Sequence, residues 1–108
     1  MTGVVVRNWE AAVGRADIDA WINTFRDRVL PNMQALDGFL DVTFLTKRDG
    51  DPCHVKVLTR WRNMAAITAF AGDNPAQTVL PDFMAPFFKS YDAEATFYDE
   101  VLREEAND

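Results

Sequence analysis

The sequence has little of what several classes of protein require. It contains one cysteine, Cys53, so an intrachain disulfide is excluded, as in a reducing compartment. Its 11 Lys and Arg are scattered among 17 Asp and Glu, which argues against binding to a phosphate backbone. Apolar runs such as residues 4–6 are too short to cross a bilayer, and the N-terminus has no signal-peptide pattern. We expect a cytoplasmic protein with no nucleic-acid partner and no membrane association.

Histidine is as scarce as cysteine, and this limits metal and nucleophile chemistry. His54 is the single histidine and follows Cys53 directly. Neighbouring residues of a strand point to opposite faces, so the two side chains cannot form a thiolate–imidazole pair within one chain. One histidine and one cysteine also make no metal site. We therefore expect no metal.

The composition is that of one globular domain. Of the 108 residues, 48% are apolar and 26% charged, and this length leaves no room for a second core. We assign residues 1–102 to the domain and residues 103–108 to an acidic tail.

Hydrophobic periodicity and turn residues predict the elements of this domain. The predicted strands are residues 4–9, 39–47, 53–61 and 93–101. The first helix begins near Asp17, a plausible N-cap, and ends or bends at Pro31. Asn63 is expected to cap a second helix over residues 64–71, and residues 73–91 to form one or two short helices over the core. The order β-α-β-β-α-β predicts a ferredoxin-like α+β fold, with helices on one face of a four-stranded antiparallel sheet.

Strand parity predicts which side chains share each face of the sheet. The predicted helix-facing side is nearly all apolar: Val4, Val6, Asn8, Leu40, Val42, Phe44, Val55, Val57, Thr59, Trp61, Ala93, Ala95 and Phe97. The opposite face mixes apolar and charged groups: Val5, Trp9, Leu45, Leu58, Tyr98, Arg7, Asp41, His54, Lys56 and Arg60. A solvated face would not need so many large apolar groups, so we expect the sheet of a second copy to cover it.

The stretch at residues 57–73 resembles the strand-to-helix signature of the antibiotic-biosynthesis-monooxygenase family, Leu-x-x-Trp-x-Ser-x-x-Ala-Ile-x-x-Phe-x-Gly. Asn63 occupies the position of the usual Ser, and this replacement preserves the ability to cap a helix N-terminus. Weaker similarities lie at residues 6–9, at Pro31 followed by residues 37–39, and at residues 97–98. The resemblance implies a homodimeric α+β barrel built from two sheets packed back to back.

The same resemblance limits the function without settling it. Members of the family include cofactor-independent oxygenases of polycyclic aromatic substrates, quinol oxygenases, haem-degrading enzymes and domains with no known activity. Haem-degrading relatives place an Asn on the first strand and a Trp at the end of the third, and Asn8 and Trp61 match these. Their histidine ligand on the following helical segment has no counterpart in residues 73–88, and haem needs an axial donor, so haem degradation is disfavoured.

Asn8 and Trp61 are therefore the candidate catalytic residues. An inward Asn8 could donate a hydrogen bond to a substrate or oxygen species, and Trp61 could stack on an aromatic ring. The alternative is that Asn8 bonds to nearby backbone and that Trp61 fills the core. The candidate substrate-binding residues are Phe70, Phe83, Phe87 and Tyr91, although aromatic residues in such a pattern are more often part of the core.

These residues favour a cofactor-independent monooxygenase that acts on a small aromatic, polyphenolic or quinol substrate with O2. A deprotonated phenol or hydroquinone donates an electron to O2 directly, so the protein needs a dry cavity and a few donors but no cofactor. The alternatives are a non-catalytic or stress-related barrel that binds a hydrophobic ligand, and an inactive structural dimer.

Overall fold

The computed structural model describes residues 3–107. Its helices are α1 (Ile18–Arg28), α2 (Leu30–Gln34) and α3 (Met64–Ala71). Its strands are β1 (Val5–Val13), β2 (Phe39–Thr46), β3 (Cys53–Trp61), β4 (Phe88–Tyr91) and β5 (Thr96–Asp99). Short 3₁₀ turns cover Arg15–Asp17 and Ala85–Phe87. Among the described residues, no helix is long and apolar enough to span a membrane.

The sheet confirms the predicted ferredoxin-like fold. Its strand order is β2-β3-β1, and the far edge of β1 is shared by β4 and β5. All pairings are antiparallel. The prediction of one last strand over residues 93–101 is wrong in its bounds, because β4 pairs with residues 11–13 of β1 and β5 with residues 5–8. The chain leaves the sheet between these two short strands.

Local sequence signals explain the helices. The Oδ1 atom of Asn63 accepts a hydrogen bond from the Ala66 N–H at 3.0 Å, which confirms the predicted cap. Asp17 is the N-cap residue of α1, as predicted, but its side chain makes no capping hydrogen bond. Pro31 lies in the first turn of α2, where its missing N–H costs no helical hydrogen bond, and the break before α2 confirms the predicted bend.

Residues 72–87, here called the roof segment, contain no α-helix, so the prediction of one or two short helices there is wrong, apart from the 3₁₀ turn. Two backbone hydrogen bonds join the segment to the stretch between β4 and β5. The Thr78 N–H donates to the Ala93 carbonyl at 3.1 Å, and the Ala95 N–H to the Ala76 carbonyl at 2.6 Å. Its prolines break regular hydrogen bonding, and the segment instead lies as an irregular cover over the helix-facing side.

The register of β1 overturns the predicted faces of that strand. Val5 pairs with Trp61 and Trp9 with Val57, so the odd-numbered residues of β1 face the helices. Val4, Val6 and Asn8 were expected there. Parity is confirmed for β3 and for Val42 and Phe44 of β2, but a bulge near Phe39 leaves Leu40 exposed. Because side chains alternate along a strand, a shift of one residue in the parity assigned to β1 moves every side chain to the opposite face.

Two packed clusters of apolar side chains form the core under the helices. The larger surrounds Trp9, Trp21 and Met84, and the smaller surrounds Trp61 and Ile67. Gly38 lets β2 begin against α3: its φ is +91°, and a Cβ there would lie 2.6 Å from the Ala66 Cβ. Residues 101–107 are exposed and irregular.

Candidate active site

A cavity of about 60 Å³ lies between the helix-facing side of the sheet and the roof segment. Its walls are mostly aromatic and aliphatic and come from β1, β3, β4, α1, α3 and the roof segment: Trp9, Trp21, Phe25, Val57, Phe70, Leu80, Met84 and Phe88. Among the lining residues that the structure describes, there is no carboxylate and no imidazole. Two polar side chains, Arg7 and Thr59, face each other across the β1–β3 pair. The cavity is thus an apolar space with polar groups on one wall.

Arg7 supplies a cation to this wall. The residue is only 5% exposed. Its Nε donates to the Pro75 carbonyl at 3.1 Å and its Nη2 to the Gln77 carbonyl at 2.6 Å. The guanidinium carbon lies 5.5 Å from the centre of the Phe70 ring. Removal from water lowers the pKa of Arg7 to about 10, so the group stays charged at neutral pH.

Thr59 connects the cavity wall to Trp61. The Trp61 Nε1–H donates to Thr59 Oγ1 at 2.8 Å, and that hydroxyl donates onward to the Arg7 carbonyl at 3.4 Å. Trp61 is fully buried and packs against Phe39 and Phe70, with ring centres 5.2 and 5.3 Å away. It does not line the cavity itself. The stacking of Trp61 on a substrate ring stays a prediction. Its position suits it to hold Thr59 and Phe70, which do line the cavity, in place.

The other predicted substrate-binding residues are only partly brought together. Phe70 lines the cavity, whereas Phe83 lies in an adjoining groove. The guanidinium carbon of Arg28 is 3.7 Å from the centre of the Phe83 ring. Phe87 packs against the larger core cluster and outside the cavity lining. Tyr91 is 50% exposed at the sheet edge and is also outside it.

Asn8 does not lie on the helix-facing side with Trp61, so the predicted inward orientation of Asn8 is wrong. Its cross-strand neighbour is Leu58, on the face turned away from the helices. The Asn8 Nδ2 donates to Glu10 Oε2 at 2.9 Å and to Thr96 Oγ1 at 3.2 Å, while its buried Oδ1 has no partner. A role for Asn8 in chemistry inside the cavity stays a prediction that this orientation does not support.

The outer face carries charges that are paired. Glu10 accepts from Asn8, lies 2.7 Å from His54 Nε2 and 3.8 Å from Lys56 Nζ. The hydrogen bond from Asn8, followed by that from His54, lowers the pKa of Glu10. His54 points outward as predicted, away from the cavity. No group of three or more potential metal ligands occurs within residues 3–107.

Sequence reasoning missed Arg7, Trp9 and Trp21 as cavity residues. The missing signal was the full length of β1. Read over residues 5–13, the odd positions are Val, Arg, Trp, Ala and Val, whereas the even positions contain both Asn8 and Glu10. The odd set is the more apolar and should face the core. Counting the strand only to Trp9 hid this difference.

A family model describes most of the chain. Residues 3–79 match the model of the antibiotic biosynthesis monooxygenase family. The comparison with curated proteins finds no significant match.

Solved structures agree on the fold at low sequence identity. A Streptomyces coelicolor monooxygenase from the gene ActVA-Orf6, in complex with nanaomycin D, has a TM-score of 0.67 at 17% identity, covering 98% of this chain and 94% of its own. SnoaB, a cofactor-independent oxygenase from Streptomyces nogalater, has a TM-score of 0.64 at 19% identity, with coverages of 94% and 96%. A protein from Shewanella oneidensis has a TM-score of 0.63 at 15% identity, covering 91% of both chains.

Proposed function

This chain belongs to the antibiotic biosynthesis monooxygenase family, and we propose that it is a cofactor-independent monooxygenase of a small aromatic, polyphenolic or quinol substrate. The observation that carries the proposal is the aromatic cavity under the roof segment with Arg7 and Thr59 on one wall. Two structurally similar proteins support it: SnoaB is a cofactor-independent oxygenase, and the Streptomyces coelicolor monooxygenase is complexed with nanaomycin D.

In the proposed reaction the substrate itself reduces O2, so the protein needs no catalytic cofactor. The ionised substrate transfers one electron to O2, and the radical pair combines into a carbon–oxygen bond. The O–O bond of this peroxide then breaks. One oxygen atom stays in the product as a carbonyl oxygen, and the other leaves as water with two substrate hydrogens. The substrate supplies all four electrons, and the cavity supplies orientation and exclusion of water.

The space for a ring system extends beyond the cavity. A groove of about 310 Å³, bordered by Arg28 and Phe83, adjoins it and shares Val29, Met33, Phe70, Val79 and Pro81 as lining residues. Ligand pockets for small molecules typically have about 300–1,000 Å³. We propose that the substrate occupies groove and cavity together, with its reacting ring in the cavity.

Oxygen uptake tests this function. The purified protein is incubated with a panel of polyphenols and quinols, and the product formed under ¹⁸O₂ is analysed by mass spectrometry. We expect uptake with at least one substrate and one labelled oxygen atom per product. Val79→Trp should block the passage and remove the uptake, because Val79 lines both spaces. The matched control is Val101→Trp, at a valine that is 71% exposed.

Uptake that survives Val79→Trp would contradict the proposed site. No uptake with any substrate would favour the second candidate, a barrel that binds an aromatic ligand without chemistry. The absence of a carboxylate or imidazole among the described lining residues is the observation that favours this candidate.

We also propose that the protein is a homodimer joined through the outer face of the sheet. Of the residues first expected there, Trp9 and Val5 are buried under the helices instead. Leu45 and Tyr98 remain exposed on the outer face, with Leu58 between them. The sheet of a second copy would cover these groups, in agreement with the arrangement that the family resemblance implies.

A further inference from the structure

The guanidinium of Arg7 is a buried cation with no opposite charge beside it. Within residues 3–107, no carboxylate lies within 4 Å of it, whereas Arg60 and Arg62 each have an acidic partner. Its hydrogen-bond partners are the neutral carbonyls of Pro75 and Gln77. A buried charge is costly unless it is paired, and neutral carbonyls compensate it only in part.

The guanidinium of Arg7 retains N–H donors that no described residue accepts from. Bonds from Nε and Nη2 engage two of the five N–H donors of a guanidinium. The residue lines the cavity beside Thr59, and it is the single charged residue among the described lining residues. Water exclusion strengthens any charge interaction made there.

We propose that Arg7 makes the cavity select an ionised aromatic ligand, a phenolate or enolate whose anionic oxygen supplies the missing opposite charge. This inference rests on the cavity being the substrate site of the proposed oxygenase. A nearby cation favours the ionised form of an acid, and the cavity lining offers no base of its own. Arg7 would thus bind the form of the substrate that can give an electron to O2.

A purely anchoring role for Arg7 makes a different prediction. If Arg7 only ties the roof segment through the Pro75 and Gln77 carbonyls, its replacement should weaken anionic and neutral ligands equally. If it also binds the anion, its replacement should weaken the anion alone. A pair of ligands matched in shape but not in charge separates the two roles.

The test uses 4-nitrophenol and its neutral methyl ether, 4-nitroanisole. Affinities are measured by calorimetry at a pH where 4-nitrophenol is ionised, and the visible absorption of the phenolate gives the pKa of the bound phenol. We expect the phenolate to bind roughly tenfold or more tightly than the ether, the scale of one charge-assisted hydrogen bond. We also expect the pKa of bound 4-nitrophenol to lie below that of the free phenol.

Arg7→Met should remove both effects, whereas Arg62→Met, an equal charge change at an exposed arginine, should preserve them. Arg7→Lys keeps the charge and should retain part of the preference. If circular dichroism shows that Arg7→Met does not fold, Arg7→Lys and the two-ligand comparison on the native chain decide the matter.

Equal binding of the two ligands, no binding of either, or an unshifted or raised pKa of the bound phenol would overturn the inference. Failure of the proposed function looks different. A selected anion with no oxygen uptake from any substrate would leave the inference standing and overturn the function. Oxygen uptake without charge selection would do the reverse.

Discussion

Two arginines on neighbouring strands show how differently the two faces of the sheet treat a charge. Arg60, on the outer face, forms two hydrogen bonds to Glu100, at 2.9 and 3.0 Å, and is also bound by Asp41. The bonds to Glu100, followed by those to Asp41, raise the pKa of Arg60. Arg7, on the inner face, has two carbonyls, and burial lowers its pKa. Arg60 thus has its opposite charges within the fold, whereas the charge of Arg7 is the one that we propose a ligand completes.

The largest effect should come from the inner face, where packing dominates. Trp61 is fully buried, and we expect Trp61→Ala to lower the free energy of unfolding by about 3–5 kcal/mol, because it leaves a cavity in the smaller core cluster. Denaturant titration measures this loss. Leu102→Ala, at a position that is 72% exposed, is the control and should change stability by less than about 0.5 kcal/mol. A loss below about 1 kcal/mol for Trp61→Ala would contradict the assigned burial.

A charge placed on the outer face of the sheet should weaken dimerisation before it lowers the stability of the fold. We expect Leu58→Asp to weaken the proposed dimer by roughly 30-fold or more, the effect of losing a central interface contact worth about 2 kcal/mol. Light scattering at micromolar concentration should change from two chains to one, with circular dichroism unaltered. Leu102→Asp introduces the same charge outside the sheet and should leave the dimer intact. A native protein that already has the mass of one chain, 12.2 kDa, would contradict the proposal.

The two arginines can be compared directly. Arg60→Met removes a bidentate partner from Glu100, whose side chain is 11% exposed, and should cost about 1–3 kcal/mol. Arg7→Met loses two bonds to carbonyls but also removes an unpaired buried cation, so its net effect should stay within about 1 kcal/mol. Thermal and denaturant unfolding of both variants give the difference. A larger loss for Arg7→Met would mean that Arg7 is mainly an anchor of the roof segment.

The smallest effect concerns acid stability. The lowered pKa of Glu10 adds stability above its unfolded pKa, and this is lost as the pH falls through the folded pKa. Since the bond from Asn8 is the first cause of the lowering, Asn8→Ala should raise the pKa of Glu10 and start acid unfolding at a higher pH. An NMR titration of the Glu10 carboxylate checks this. Oxygen uptake should survive in Asn8→Ala, and its loss would show that Asn8 acts in the reaction after all.

Local signals made part of this structure predictable. The bounds of β3 and α3 and the Asn63 cap follow from residues adjacent in sequence. The orientation of β1 was harder, because Val4, Val5 and Val6 satisfy either parity and the deciding residues lie beyond Trp9. The partners of Arg7 lie 68 and 70 residues away, in a segment with no regular structure to place them. Family resemblance indicated the fold but not this cation.

The way in which the roof segment is fastened bears on how such proteins diversify. Arg7 of β1 donates to two main-chain carbonyls of this segment, those of Pro75 and Gln77, at 3.1 and 2.6 Å. A carbonyl is the same in every amino acid, so most substitutions in the roof leave these anchors unchanged. Side chains such as Leu80 and Met84 could therefore drift through evolution and reshape the cavity without loosening its cover. Substitutions in this one irregular segment would then change what the cavity accepts while Arg7 still holds its cover in place.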